Sequence, residues 1–276
     1  MKTILEYHDG IHKNVPHDVY HGRHLGLVSK SAIERLDRSP AHYKTWIDGD
    51  VSDVGTLAQA FGGAWHCSVL EPERFEASYV VEPDHGDLRT KAAKAARDEW
   101  RAANGCKVYV PEDDMAAMRA MTAAVRAHPL ASKMLANGEP EVTAIWTDEE
   151  TGLRCKTRTD YYVESRRMAV DLKSADDASL PAFRRSAANY GYHITDALYR
   201  AGFGAVGKRI DHYVFVVVEK KPPHAVALYS LHADDIQKGY AHVLSAKLKL
   251  AECVRNDDWP AYPVTIQTLA LPPWAA

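Results

Sequence analysis

The sequence predicts an α/β fold in which a helical N-terminal part precedes a mixed central sheet flanked by helices. Three observations lead there. Apolar residues recur at helical spacing through the first half of the chain, β-rich runs fill residues 142–146, 153–163, 168–173, 212–219 and 224–231, and helical stripes separate and close those runs.

Residues 1–28 carry His8, His12, His17, His21 and His24 among turn formers, with little periodicity. They are expected to form an arm that packs on the body or on a neighbouring subunit, their histidines being polar loop residues, with metal binding as the sharper alternative. Residues 29–276 form the single domain. A helix opens at Ser29-Lys30-Ser31, with Ile33 and Leu36 on one side and Ser31 and Glu34 spaced as a capping box. Ser39-Pro40 ends or redirects it. From Gly55 to Leu70 the stripe Leu57, Phe61, Ala64, Trp65, Val69 marks another helix. Gly62-Gly63 interrupts it, at ~1 kcal/mol each, which points to close packing or to a ligand's approach. Periodicity leaves His66, on this helix, unassigned. Glu71-Pro72-Glu73 stops it, and residues 90–103 and 111–127 follow as helices, the second with Met115, Met118, Met121 and Val125 as core filling.

The sheet is expected to begin near Glu141. A strand at 142–146, a turn at 148–152 and a strand through Asp160 lead to a hairpin partner with Asp171 and Lys173. Ser179 caps a helix with Pro181 in its first turn and Phe183, Ala187, Ile194 and Leu198 on one stripe. The run 212–219 reads as a strand buried on both faces, 224–231 as another, and Ile236, Tyr240, Val243, Leu244, Leu248 and Ala251 as the closing helix. Gly202-Phe-Gly204-Ala-Val-Gly207 matches a dinucleotide fingerprint, but it follows a helix and precedes a strand, the reverse of what that chemistry needs.

Composition narrows the function. The 276 residues are 46% hydrophobic and 26% charged, ordinary for a globular protein, with a formal net charge of -3. There is no global basic excess, so nucleic-acid contacts would rest on local charge. Cys67, Cys106, Cys155 and Cys253 have neither zinc nor disulfide spacing. No apolar run approaches the ~18 residues of a membrane span, and the first residues lack a signal-like apolar stretch, so the expected location is cytoplasmic and no membrane partner is expected.

The chemistry concentrates at Asp160 and Asp171-Leu-Lys173. Strand side chains two apart share a face, so Asp171 and Lys173 set a carboxylate beside an ammonium. Carboxylates hold Mg²⁺, and a cation offsets developing charge in phosphodiester hydrolysis. On its own the pattern also fits a solvated ion pair worth ~0–1 kcal/mol.

The ordered set His66 in Ala-Trp-His-Cys-Ser-Val-Leu-Glu-Pro-Glu, Arg158-Thr-Asp160, Asp171-Leu-Lys173-Ser-Ala-Asp176, Tyr192-His-Ile-Thr-Asp-Ala-Leu-Tyr199, Trp259-Pro260 and Leu271-Pro-Pro-Trp274-Ala resembles the RecE-type exonucleases. These are the C-terminal nuclease domains of exodeoxyribonuclease VIII, within the PD-(D/E)XK superfamily that includes lambda exonuclease. The resemblance, from about Val15 onward, implies the PD-(D/E)XK nuclease fold and a Mg²⁺-dependent 5′ to 3′ exonuclease on linear double-stranded DNA, with Mn²⁺ as a substitute. Its product would be 3′ single-stranded tails for recombination by strand annealing, in the setting of a phage or related element. It also implies a single-strand annealing protein as partner and a ring-shaped homo-oligomer with a basic lining, for which Lys156, Arg158, Arg184 and Arg185 are candidates. His66, Asp160 and Asp171 take the metal-site positions, Glu141 a further one, and Lys173 the catalytic lysine; Asp160 and Asp171 count as catalytic too. Ser29, Ser31, Arg158, Thr195 and Tyr199 are the candidates for DNA or phosphate contact. The chain departs from the pattern at Thr195, where a glutamine is common, and at Asp171, where the superfamily often has glutamate. The alternatives are a DNA-end-binding accessory protein with weakened chemistry and an endonuclease of the same fold.

Overall fold

The computed structural model describes residues 3–49 and 57–271. The arm is woven into the body: β1 (Gly10–His12) is an edge strand and α1 (His17–His21) a single short helix. Then come α2 (Lys30–Arg38), α3 (Pro40–Ile47), α4 (Leu57–Leu70) and α5 (Pro72–Ser78). The short strands β2 (Tyr79–Val80) and β3 (Val108–Tyr109) pair in parallel around α6 (Lys91–Asn104). Two helices, α7 (Glu112–Ala127) and α8 (Ala131–Met134), lead to β4 (Glu139–Thr147), β5 (Arg154–Val163) and β6 (Met168–Ala175). After α9 (Leu180–Asn189) and α10 (Tyr192–Ala205) come β7 (His212–Glu219), β8 (Val226–Tyr229) and α11 (Ala233–Asn256).

The large sheet has the order β1-β4-β5-β6-β7-β8. Only β6 and β7 run parallel, joined through α9 and α10 as a parallel pair requires. On one face Trp65 of α4 and Met118 and Met121 of α7 pack on Val170, Leu172 and Val216. On the other, Ile33 and Leu36 of α2 and Leu198 of α10 pack with Trp146, Val243 and Leu250. The expected mixed sheet between helices is the observed architecture.

Several elements depart from the sequence pattern, each for a local reason. Ser29, not Ser31, caps α2: its hydroxyl accepts the Ala32 N–H at 3.2 Å, while Glu34 pairs with Lys30. The stripe after Ser179 is two helices, broken where Gly191 takes φ +60°. Gly62 and Gly63 lie inside α4 without breaking it, and a Cβ on either would meet nothing within 4 Å, so close packing is not their reason. Gly202 is a packing residue of α10, its Cβ position 2.5 Å from the Trp146 ring. Gly55, expected to open α4, and Trp274 of the terminal motif lie outside the described residues.

Helices α10 and α11 touch most closely at Gly239, where a Cβ would overlap the His193 carbonyl. That neighbour is backbone and cannot rotate away. Gly239→Ala is expected to force the helices apart at a cost of several kcal/mol, beyond the ~1–3 kcal/mol usual for overpacking, read as a fall in the urea midpoint.

Candidate active site

Three strands part around Asp160. Between β4 and β5 the Cα pairs Pro140↔Tyr161 and Val142↔Thr159 bracket Glu141 and Asp160. Glu141 has φ +51°, a left-handed conformation that costs a side-chain-bearing residue ~1–3 kcal/mol and clusters at functional sites. On the other side the β5–β6 pairs run from Val163↔Met168 to Tyr161↔Val170, one step short of Asp160. Here the Asp160 carboxylate takes over from the backbone ladder, accepting the Leu172 N–H on Oδ2 at 2.7 Å. It therefore sits at the plane of the sheet, within reach of residues from both faces.

Asp171, 5% exposed, is held from two sides: Lys173 Nζ donates to Oδ1, and the buried Tyr213 hydroxyl to Oδ2 at 2.8 Å. Asp171 and Lys173 share a face of β6, as their spacing predicts. Burial acts to lower the Lys173 pKa, but Asp171 and Asp160 outweigh it and hold the amine above its ordinary range. Lys173 is thus an ammonium, able to donate hydrogen bonds and offset negative charge but not to act as a base.

From the opposite face α4 brings His66, whose Nδ1 lies 3.6 Å from Asp160 Oδ2. Glu141 approaches from β4. Burial, then the Asp160 charge, pushes its carboxyl up to about 7 against the opposing Arg158 guanidinium. Asp160 is raised as well, by burial and by Asp171, with His66 opposing. Both are raised by burial first and by a neighbouring carboxylate as well, the kind of perturbation that clusters at functional sites.

His66, Glu141, Asp160, Arg158 and Tyr199 line one cavity of about 330 Å³. Asp171 and Lys173 stand behind its Asp160 wall. The oxygen-rich donors suit a hard divalent cation such as Mg²⁺ or Mn²⁺, and a cation there would relieve the crowding that raises Glu141 and Asp160. Among the described residues no three His, Cys, Asp or Glu side chains already converge as a metal-holding group. The set fits in donor chemistry, with Asp171 having to share oxygens that Lys173 and Tyr213 already bind.

Other sequence candidates lie elsewhere. Ser29 is buried as the α2 cap, Ser31 is exposed on α2, and Thr195 is buried in α10; none lines the cavity. Lys156 and Arg158 are buried and hold the arm, Lys156 donating to the Tyr20 and Gly22 carbonyls and Arg158, which also lines the cavity, to Val15. Arg184 and Arg185 are exposed on α9. Sequence reading missed Glu71 and Arg74 after α4, Tyr20 of the arm, and Tyr213 behind Asp171. The first three line the cavity, as do His17 and His21, which it left as loop residues. Glu71 lies just past the end of α4, between it and α5, where no helical period carries a signal for it.

A comparison of sequences finds that residues 29–271 match the family described as PDDEXK-like domain of unknown function (DUF3799). The chain belongs to this family. Among solved structures, the PDDEXK-like chain is similar to a candidate exonuclease from Eubacterium rectale at 12% identity and a TM-score of 0.55, covering 92% of this chain and 97% of that one. It is also similar to a phage related exonuclease from Haemophilus somnus 129PT, at 15% identity and a TM-score of 0.33 over 61% of this chain and 85% of that one. No curated protein matches. The PD-(D/E)XK fold is thereby that of the chain. Among the described residues no helix is long and apolar enough to cross a membrane.

Proposed function

We propose that the chain is a RecE-type, divalent-metal-dependent exonuclease that digests one strand of linear double-stranded DNA from its 5′ end. The observation that carries the proposal is the Asp160 carboxylate, drawn out of the β5–β6 ladder onto the Leu172 N–H and set between His66, Glu141 and the Asp171–Lys173 pair. Asp160, Asp171, His66 and Glu141 would hold Mg²⁺, or Mn²⁺ in its place. When bound, the metal supplies charge neutralisation at the phosphate and acidifies a water. Lys173, fixed as an ammonium by Asp171, orients that water or a phosphate oxygen and offsets charge as it develops, while Tyr213 keeps the Asp171 carboxylate in place. The cavity, about 330 Å³, is at the small end of ligand pockets and suits one nucleotide of a separated strand better than an intact duplex, which favours attack at an end. The 3′ tails left behind would pass to a single-strand annealing protein, and a ring of subunits around the duplex would keep successive cuts on one molecule.

The test is digestion of linear and closed circular duplex DNA in Mg²⁺ and in EDTA. Loss of the linear form alone, only with Mg²⁺ and with 3′ tails as product, is the expected result. Cutting of the circle makes the protein an endonuclease, and intact DNA in every lane favours an accessory end-binding role.

A further inference from the structure

The arm has a second use beyond completing the sheet. Strand β5 clamps it from beneath: Lys156 Nζ donates to the carbonyls of Tyr20 and of Gly22, the latter at 3.1 Å, and Arg158 Nη2 to that of Val15 at 2.8 Å. Both cations also lie over the Tyr20 ring, at 4.9 and 3.9 Å from its centroid. These two side chains precede Asp160 by four and two residues on the same strand. One strand therefore fixes both the carboxylate and α1, and α1 has a set place in the cavity, which His17 and His21 line.

The wall they form differs in chemistry from the carboxyls that share the cavity. Their imidazole centroids are 4.1 Å apart. His17 is held below its ordinary range, first by burial and then by the Arg158 and Arg74 charges, with Asp18 opposing. Among the described residues the two imidazoles belong to no group of three that could hold a metal. Arg74, which also lines the cavity, gives Nη1 to Glu71 at 2.7 Å and has further N–H donors. The cavity thus sets the imidazoles of His17 and His21 and the Arg74 guanidinium in one lining with the carboxyls of Glu71, Glu141 and Asp160. Imidazole and guanidinium N–H groups are donors to phosphate oxygens, and adjoining carboxyls that would hold a metal call for a substrate that carries several negative charges in a row.

We propose that His17, His21 and Arg74 form a phosphate-holding wall, which grips the DNA phosphate next to the one being cut. The proposal rests on the nuclease reading, and it makes the arm a part of the substrate site.

The test uses the full chain with His17→Ala/His21→Ala and His17→Gln/His21→Gln. Three quantities are read: the Kd for a labelled linear duplex in EDTA, KM and kcat for its cleavage in Mg²⁺, and Tm. The alanine pair is expected to raise Kd and KM about tenfold or more with Tm unchanged and kcat less affected, and the glutamine pair, which retains N–H donors, to recover part of the loss. Unchanged Kd and KM overturn the proposal, as does a loss that follows a falling Tm and is not recovered by glutamine. If the wild type binds DNA but does not cleave it, the nuclease reading fails and the Kd comparison alone decides the wall; if it neither binds nor cleaves, both fall.

Discussion

Lys173→Met is expected to reduce Mg²⁺-dependent cleavage of linear DNA by at least ~10²–10³-fold, the loss typical when a preorganised charge is removed from a reacting centre. The same change should destabilise the protein, because Asp171 is 5% exposed and would keep only the Tyr213 hydroxyl. Breaking one side of a buried pair costs ~3–5 kcal/mol. Adding Asp171→Asn removes the orphaned charge, so the double variant should regain most of that stability while cleavage stays lost. Denaturant melts and digestion rates on the two single variants and the double variant separate the two contributions, since neighbouring residues are not additive. A Lys173→Met protein that is destabilised as expected but still cleaves linear DNA at the wild-type rate would remove Lys173 from the chemistry and leave it a purely structural partner.

The second large effect concerns Glu141 and pH. Its carboxyl moves from an ordinary 4.5 to about 7 on folding, mainly by burial and then by the Asp160 charge. Between those values the unfolded chain has released a proton that the folded one retains. Stability of the metal-free protein should therefore fall as pH rises from about 4.5 to 7 and level off above. Glu141→Gln removes that slope and should stabilise the metal-free protein at pH 8. A third of the Glu141 side chain stays accessible, so solvent screens the effect to roughly 1 kcal/mol, or ~2–4 °C in Tm for a chain of this size. Mg²⁺ should raise the Tm of the wild type more than that of the variant. The measurement is Tm against pH with Mg²⁺ and with EDTA; parallel curves for both proteins would place the Glu141 carboxyl outside any metal site.

Most of the acidic centre was legible because strand alternation is a short-range property: Asp171 and Lys173 share a face by spacing alone, and Asp160 lies on the neighbouring strand. What spacing could not show is that the ladder parts at Asp160, since this depends on the Glu141 backbone and the Leu172 N–H across a gap. His66 needed the family resemblance, because an apolar helix stripe reads the same whether or not a histidine on its flank faces a cavity. Tyr213 was invisible within a uniformly apolar run. The break at Gly191 was hidden because Phe183, Ile194 and Leu198 keep a helical rhythm across it, and β1 is only three residues, too short for any period. The arm's helical turn was lost among turn formers for the same reason.

The match to the PDDEXK-like family starts at Ser29, yet Ile4, Val15 and Leu27 are buried against Ile145. A chain begun at Ser29 would strip β1 from β4 and leave Lys156 and Arg158 without the carbonyls they now serve. The bare edge of β4, with Ile145 on it, would then be open to pair with any other bare edge. Such a shortened protein would be lost to aggregation before its chemistry could be assayed, so the natural unit for expression includes the first 28 residues even though the family match leaves them out.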